Sequence, residues 1–419
     1  MKRIVIIGNS AAGISTAETL RKFDSESKIT IITDENYGCY SRCLLSYFLA
    51  GDIKEEKLIY RPDSFYSENK IELVSSKEII RVDHKKKRVI AEDKTQFDFD
   101  FLVLANGASS RMPEVKGIQK RGAFGLRTIS DAKGILEIAP VSETACVMGG
   151  GLIGLKAAYG LKKRGLDIKV IVKSKQVLSQ MLDEKSAQFF KERLTENNVE
   201  IITSTDVTEI LGNGDVKAVR LDSGKVIACH IVVIGKGVNP NIKLIKETDI
   251  KTNEGILTDE FLCTNIPQIY ACGDVAETFD PVFNEKTVNA LWPIAVEQGK
   301  IVAANIAGQN LKYDGSIGMN SVEFFGLPVI SMGITKPKEG LEELVSSDDR
   351  SKVYKKLLIK ENLIVGAILL GKINNAGVFL NLIREKIDIS SIKDQLLNPG
   401  FGYPHTIGMV KEVDDIYVK

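Results

Sequence analysis

The sequence predicts an α/β protein: two Rossmann-like dinucleotide-binding domains followed by a C-terminal α+β interface domain. Three observations carry that expectation. A strand, small-residue turn, helix and second strand open the chain at "RIVIIGNSAAGISTAETLRKF" and "KITIITDE". The same pattern returns at "TACVMGGGLIGLKAAYGLKKRG" and "IKVIVKSKQVL", and no third copy follows Tyr313. A repeated βαβ unit means a repeated nucleotide site, because each unit aims a helix N-terminus at one pyrophosphate.

In the first unit Gly8, Ser10 and Gly13 take the three positions of a phosphate-binding turn. Serine in the middle is small enough to be tolerated and offers a hydroxyl to a phosphate. The following strand ends in Asp34 and Glu35, and Glu35 lies 22 residues after Gly13, where a carboxylate accepts hydrogen bonds from a ribose diol. A solvated acid after a strand is the bland alternative. In the second unit Gly149, Gly151 and Gly154 complete G-x-G-x-x-G. The first glycine permits the tight turn, the second lets the backbone approach a pyrophosphate, and the third lets helix and strand pack closely. The strand after it ends in "IVKSK", with Lys173 where a ribose-binding acid is expected and Lys175 close by. A cation there suits a 2′-phosphate, so NADPH is served at least as well as NADH; an ordinary surface lysine is the alternative. Beyond Tyr313, "KVYKKLLIKENLIVGAILLG" reads as two strands broken by a turn near Glu361 and Asn362, with a helix around 375–385.

At 419 residues the chain exceeds the roughly 150 expected of one domain. Its 56 basic and 55 acidic residues nearly cancel, so nothing in the balance proposes nucleic acid or an anionic membrane as partner. No apolar run reaches the roughly 20 residues needed to span a bilayer, and "MKRIVIIG" is too short for a signal peptide, so a cytoplasmic protein is expected. The six cysteines form no Cys-x-x-Cys knuckle and the three histidines lie far apart, so no metal site is expected. Cys146, Cys229, Cys263 and Cys272 sit in or beside apolar runs and read as packed thiols. Cys39 and Cys43, in "YGCYSRCLLSYFLAG", leave three readings open: a redox pair, one reactive thiol, or packing.

The stretch "TNIPQIYACGDVAE", with Ala271, Gly273 and Asp274, resembles the second flavin motif of the FAD-dependent pyridine nucleotide-disulfide oxidoreductase family. In that family the aspartate binds the ribityl chain. Other segments agree in order: "FDFDFLVLANGA" (Ala105, Gly107), "LRTISDA" (Arg127), "GVNPN" just after Gly235, and "LWPIAVEQGKIVAANIAG" (Ala295). The resemblance spans essentially the whole chain. It implies an FAD domain at 1–109 and 236–312, an inserted NAD(P) domain at 110–235, and a C-terminal dimerisation domain at 313–419. The implied cofactors are FAD and NADH or NADPH. The implied binding set joins these residues to the two turns with Ala12, Leu152 and Ile153, and to Asp34, Glu35, Arg42 and Lys173.

The loop around Cys43 resembles two subgroups at once. It fits Pro-Tyr-x-Arg-Pro-x-Leu-Ser-Lys of rubredoxin, ferredoxin-type and nitrite reductase flavoproteins, with Arg42 and Ser46 in place, Cys43 at a proline and Tyr47 at the lysine. It also fits Cys-x-Leu-Pro-Tyr of coenzyme A-disulfide reductases and NADH oxidases through Cys43, Leu45 and Tyr47, with Ser46 replacing proline. Near a helix start and Arg42, the Cys43 thiolate is expected to be favoured. The Cys39–Cys43 spacing matches neither of the family's disulfide spacings. Ala11 stands where the NADH oxidases carry a catalytic histidine, and "FGYPHTIG" offers Tyr403 and His405 in place of a terminal His-x-x-x-x-Glu. Lys156 replaces a helix glutamate that in relatives pairs with the loop lysine, here Tyr47. Both pointing inward would move one cation from loop to helix beside the flavin; the alternative turns Lys156 to solvent. The catalytic set is thus Cys43, Lys156 and Tyr47. The implied protein is a homodimeric FAD-dependent NAD(P)H:acceptor oxidoreductase serving an iron-sulfur protein or rubredoxin. A coenzyme A-disulfide or persulfide reductase or NADH oxidase acting through Cys43 on a small thiol or disulfide, or a flavin subunit with little turnover alone, are the alternatives.

Overall fold

The computed structural model describes residues 1–409; residues 410–419, the end of the expected C-terminal domain, lie outside them. The first sheet has five parallel strands in the order Ile269–Ala271, Phe101–Leu104, Arg3–Ile7, Lys28–Ile32, Ile71–Val74. From Ile4 to Ile7 its central strand is an unbroken apolar run because both faces are covered, as parallel sheets require. One edge strand comes from far along the chain, which makes this domain discontinuous. Helices Ala11–Phe23 and Trp292–Ile306 cover one face and meet nearly backbone to backbone. A Cβ on Gly299 would lie 2.5 Å from the Ala12 carbonyl oxygen.

The second sheet repeats the design in the order Val199–Thr203, Asp167–Val172, Thr144–Met148, Ile231–Ile234, Ala123–Phe124, again all parallel. Helices Leu152–Lys163 and Glu184–Glu196 belong to it. The two chain crossings between the first and second sheets run side by side as an antiparallel pair, Ala108–Ser110 against Val238–Pro240. Reciprocal amides lock them: Asn106 Nδ2 donates to the Asn241 carbonyl at 2.9 Å, and Asn241 Nδ2 donates to that of Asn106 at 2.7 Å.

The third sheet is antiparallel, in the order Met319–Phe324, Leu327–Gly333, Leu363–Leu370, Val353–Lys360, Glu342–Asp348, with helix Ala376–Arg384 packed on it. The expected turn falls between the strands Val353–Lys360 and Leu363–Leu370. Glu361 and Asn362 take φ of 51° and 60°, the pair of positive angles that a two-residue hairpin demands. This sheet is bolted to the second domain through Lys356. Its side chain is 6% exposed and its ammonium lies 3.2 Å from Asp183 and 2.7 Å from Glu343. Tyr354 OH donates to Asp183 at 2.5 Å, and Asp183 also caps helix Glu184–Glu196 by accepting from Ser186 N. No helix among the described residues is long and apolar enough to cross a membrane.

Candidate functional site

The two glycine turns have nearly the same geometry. Gly8 and Gly149 take φ of 118° and 116°, and Cβ atoms on Gly13 and Gly154 would lie 2.0 and 2.1 Å from their respective carbonyl oxygens. Helix and strand could not pack so closely with any side chain at those third positions. The middle residues, Ser10 and Gly151, are N-caps in extended conformation that make no side-chain capping bond. The first N–H groups of each helix are therefore left for an anion. Around Gly151 the space is open: its missing Cβ would meet nothing nearer than Gly235 O, at 3.9 Å.

One cavity of about 1840 Å³ runs past both turns, larger than the roughly 300–1,000 Å³ of an ordinary small-ligand pocket. Gly8, Ser10, Ala12, Asp34, Glu35, Arg42, Ala105, Gly107, Arg127, Gly273, Asp274 and Ala295 line it on the side of the first sheet. Gly149, Gly151, Leu152, Ile153, Lys173 and Gly235 line it on the second, and Cys43 and Lys156 line it as well. Gly13 and Gly154 stand behind their turns, as their packing role demands. Tyr47 is not brought to the cavity: it lies on the short helix Leu45–Ala50, 40% exposed, while its neighbour Ser46 faces in.

A chain of polar contacts crosses the first side. Glu35 accepts from Tyr40 OH at 2.6 Å and pairs with Arg42; Arg42 Nη1 donates to the Arg127 carbonyl at 2.9 Å; Arg127 Nη2 donates to Asp274 Oδ2 at 2.5 Å. Glu35 keeps lone pairs for a ribose, since each carboxylate oxygen has two. Tyr40, buried at 7% exposure, escaped the motif reading because no spacing rule names it; only its place in the same loop pointed to it. Burial pushes its hydroxyl above the ordinary phenol value.

Cys43 sits in the 3-10 turn Arg42–Leu44, where its surroundings work against the expected thiolate. Arg42 turns away to Glu35 and Arg127, so it is no counter-ion for the sulfur. The residue is exposed, yet desolvation by the groups around its sulfur raises the thiol above its ordinary value; Lys156 opposes that and Asp274 adds to it. Cys39 is packed at 1% exposure in the core beside Ile31, Phe65 and Tyr66, and burial raises its thiol to about 12. Both are free thiols, and only Cys43 reaches the cavity.

Lys156 is held by a helix face. Helix Leu152–Lys163 lies on helix Leu45–Ala50 so closely that a Cβ on Gly160 would be 3.0 Å from Leu49 Cγ. Arg164 Nε donates to Leu49 O at 2.8 Å, and Tyr159 OH to Asp52 at 3.1 Å. Residues 156, 159, 160, 163 and 164 share one side of a helix, so these contacts turn Lys156 toward the Cys43 loop. It forms no ion pair among the described residues.

Sequence motifs also missed Asn106. It lines the cavity, and its Oδ1 is buried without a partner, an acceptor that a bound donor would satisfy. Two glycine cradles, two open helix ends, a ribose acid on one side and this orphaned acceptor fit a pair of dinucleotides, FAD on the first side and a nicotinamide nucleotide on the second.

The pyridine nucleotide-disulphide oxidoreductase family model matches residues 2–299, and that of the rubredoxin NAD+ reductase C-terminal domain matches residues 319–387. The chain is similar to an NADH oxidase of Methanocaldococcus jannaschii, 31% identical over 442 aligned residues covering 98% of this chain and 96% of that protein. It is 33% identical over 314 residues to a rhodocoxin reductase of Rhodococcus erythropolis, covering 74% of this chain and 73% of that protein. Among solved structures, an NAD-dependent persulfide reductase from A. fulgidus superposes with a TM-score of 0.87 at 26% identity, covering 96% of this chain and 79% of that one. With most of its length under one family model and both cradles fitting that family's ligands, the chain belongs to the pyridine nucleotide-disulphide oxidoreductases and is an NAD(P)H oxidoreductase that works with FAD.

Proposed function

We propose that the protein relays electrons from NAD(P)H through FAD to an iron-sulfur or rubredoxin-type protein. The observation that carries this reading is the solitary thiol. Cys43 faces the cavity while Cys39 is locked in the core, so no dithiol is at hand to take a second electron pair. The redox chemistry belongs to the cofactors: hydride transfer from reduced nicotinamide to the flavin, and onward release of the electrons. The chain's own residues bind and orient them. The Glu35–Arg42–Arg127–Asp274 chain fixes the flavin side, the Gly149 turn receives the nicotinamide pyrophosphate, and Lys156 supplies positive charge between the two. Tyr47 is left out of the catalytic set. The domain limits 1–109 with 236–312, 110–235 and 313–419 belong to this reading, supported by the paired crossings at 108–110 and 238–240.

Anaerobic reductive titration of the purified flavoprotein tests the relay. About two electrons per flavin are expected, and about four would overturn it, because a disulfide takes two more. A second reading, a persulfide or coenzyme A-disulfide reductase, is favoured by one observation: Cys43 and the unpaired Lys156 line the same cavity. Cys43→Ser would then abolish thiol-dependent turnover while sparing diaphorase activity. The proposal includes a homodimer formed through the C-terminal sheet, to be checked by sedimentation velocity. It also includes a cytoplasmic setting, which six unpaired thiols suit.

A further inference from the structure

We propose that the nicotinamide site selects NADPH, and that Lys336, from the C-terminal domain, joins Lys173 and Lys175 in holding its 2′-phosphate. The proposal rests on the NAD(P)H reading above and names the nucleotide. In the first cradle the strand Lys28–Ile32 leads to Asp34 and Glu35, the acceptors a ribose diol needs. In the second, strand Asp167–Val172 leads to Lys173, Ser174 and Lys175, two cations and a hydroxyl with no carboxylate among them to accept from a diol.

Beside this strand end lies a second hollow, of about 690 Å³. Ser174 and Ser179 line both it and the large cavity, so the two spaces adjoin. Lys175 lines the hollow from the nicotinamide domain and Lys336 from the C-terminal domain. Their approach is built in. Thr335 Oγ1 donates to the Gln180 carbonyl at 3.3 Å, which brings the neighbouring Lys336 to the 174–182 loop. Gln176 Nε2 donates to Leu182 O at 2.9 Å and Ser174 Oγ to Gln176 O at 2.7 Å, which stiffen that loop from within.

The charge balance favours an anion. Two other lysines of the hollow are committed: Lys356 to Asp183 and Glu343, and Lys185 to Asp349 at 2.6 Å. Of the two carboxylates lining it, Asp183 is thereby neutralised and Glu184 remains. Lys173, Lys175 and Lys336 are exposed and have no acidic partner among the described residues. Two uncommitted cations, Lys175 and Lys336, share the hollow with one unneutralised carboxylate, and a third, Lys173, lines the adjoining cavity, an arrangement that rewards a phosphate over a bare diol.

Calorimetry on the flavin-loaded protein with 2′,5′-ADP and 5′-ADP tests this without turnover. The wild type is expected to bind 2′,5′-ADP at least about tenfold more tightly, the effect of one charge-assisted contact. Lys336→Ala is expected to shrink that ratio several-fold, and Lys173→Glu to reverse it; neither exposed position threatens the fold. Equal affinities in the wild type would overturn the NADPH assignment, and an unchanged ratio in Lys336→Ala would overturn the part given to the C-terminal domain. Flavin reduction by NADPH and NADH, followed in parallel, keeps the two readings apart. Failure of both nucleotides would overturn the oxidoreductase reading, whereas reduction by NADH alone would overturn only this one.

Discussion

Cys43 is a nucleophile only to the extent that its sulfur ionises, and partial desolvation of this exposed residue shifts that ionisation to a pH above its ordinary value. Alkylation by iodoacetamide should therefore be slow at neutral pH and keep accelerating as the pH rises past the value at which a free cysteine levels off. Lys156 is the main charge working the other way. Lys156→Glu should push the alkylation profile to still higher pH and lower the flavin midpoint potential by about 30 mV, the shift that ~1.4 kcal/mol makes in a two-electron couple. Unchanged values in both measurements would show that the ammonium acts on neither sulfur nor flavin. At this scale the sequence disclosed residue types more readily than directions. The glycines were legible because each turn needs them at a fixed spacing, Gly8 and Gly149 for their backbone angles and Gly13 and Gly154 for close packing. The behaviour of Cys43 was not, since it depends on where Arg42 points, and that is decided by a carbonyl 85 residues away.

A βαβ turn divides its glycines between two jobs, and single methyl groups separate them. Gly154→Ala would drive a Cβ to 2.1 Å from Gly149 O, so it should destabilise the protein by about 3 kcal/mol or more, read as a lowered denaturation midpoint. Gly151→Ala has room, with 3.9 Å to the nearest atom outside its chain neighbours; it should keep the wild-type midpoint and instead raise KM for the nicotinamide. If both variants merely unfolded, the distinction would be wrong. Elements of this kind announce themselves through local rules, as did the hairpin at Glu361 and Asn362, whose polar pair interrupts two apolar runs. The crossing strands Ala108–Ser110 and Val238–Pro240 did not reveal their pairing, because it joins segments more than a hundred residues apart and is locked by two asparagines that no periodicity marks.

Between domains, buried polar ties work beside apolar packing in which Phe324 of the C-terminal sheet meets Phe190 of helix Glu184–Glu196 edge-on. Asp183 receives Ser186, Tyr354 and Lys356, and together these hold its carboxyl below the ordinary value against the cost of burial. Its contribution is therefore complete above the unfolded carboxylate pKa and is lost as the pH falls through the lower folded one. Asp183→Ala should cost about 3–5 kcal/mol, the usual penalty for breaking a buried pair, and should remove part of the acid-dependent loss of stability. Chemical denaturation at neutral and acid pH would check both. Nothing local in the sequence reveals this tie, whose partners are separated by more than 170 residues. It also has a mechanical meaning. The nicotinamide-binding sheet is joined to the flavin-binding sheet by the crossing strands and by helix Leu152–Lys163 lying on Leu45–Ala50, and it is riveted to the C-terminal sheet through Lys356. Any swing that widens the cleft must either carry the C-terminal sheet along as ballast or tear out that rivet.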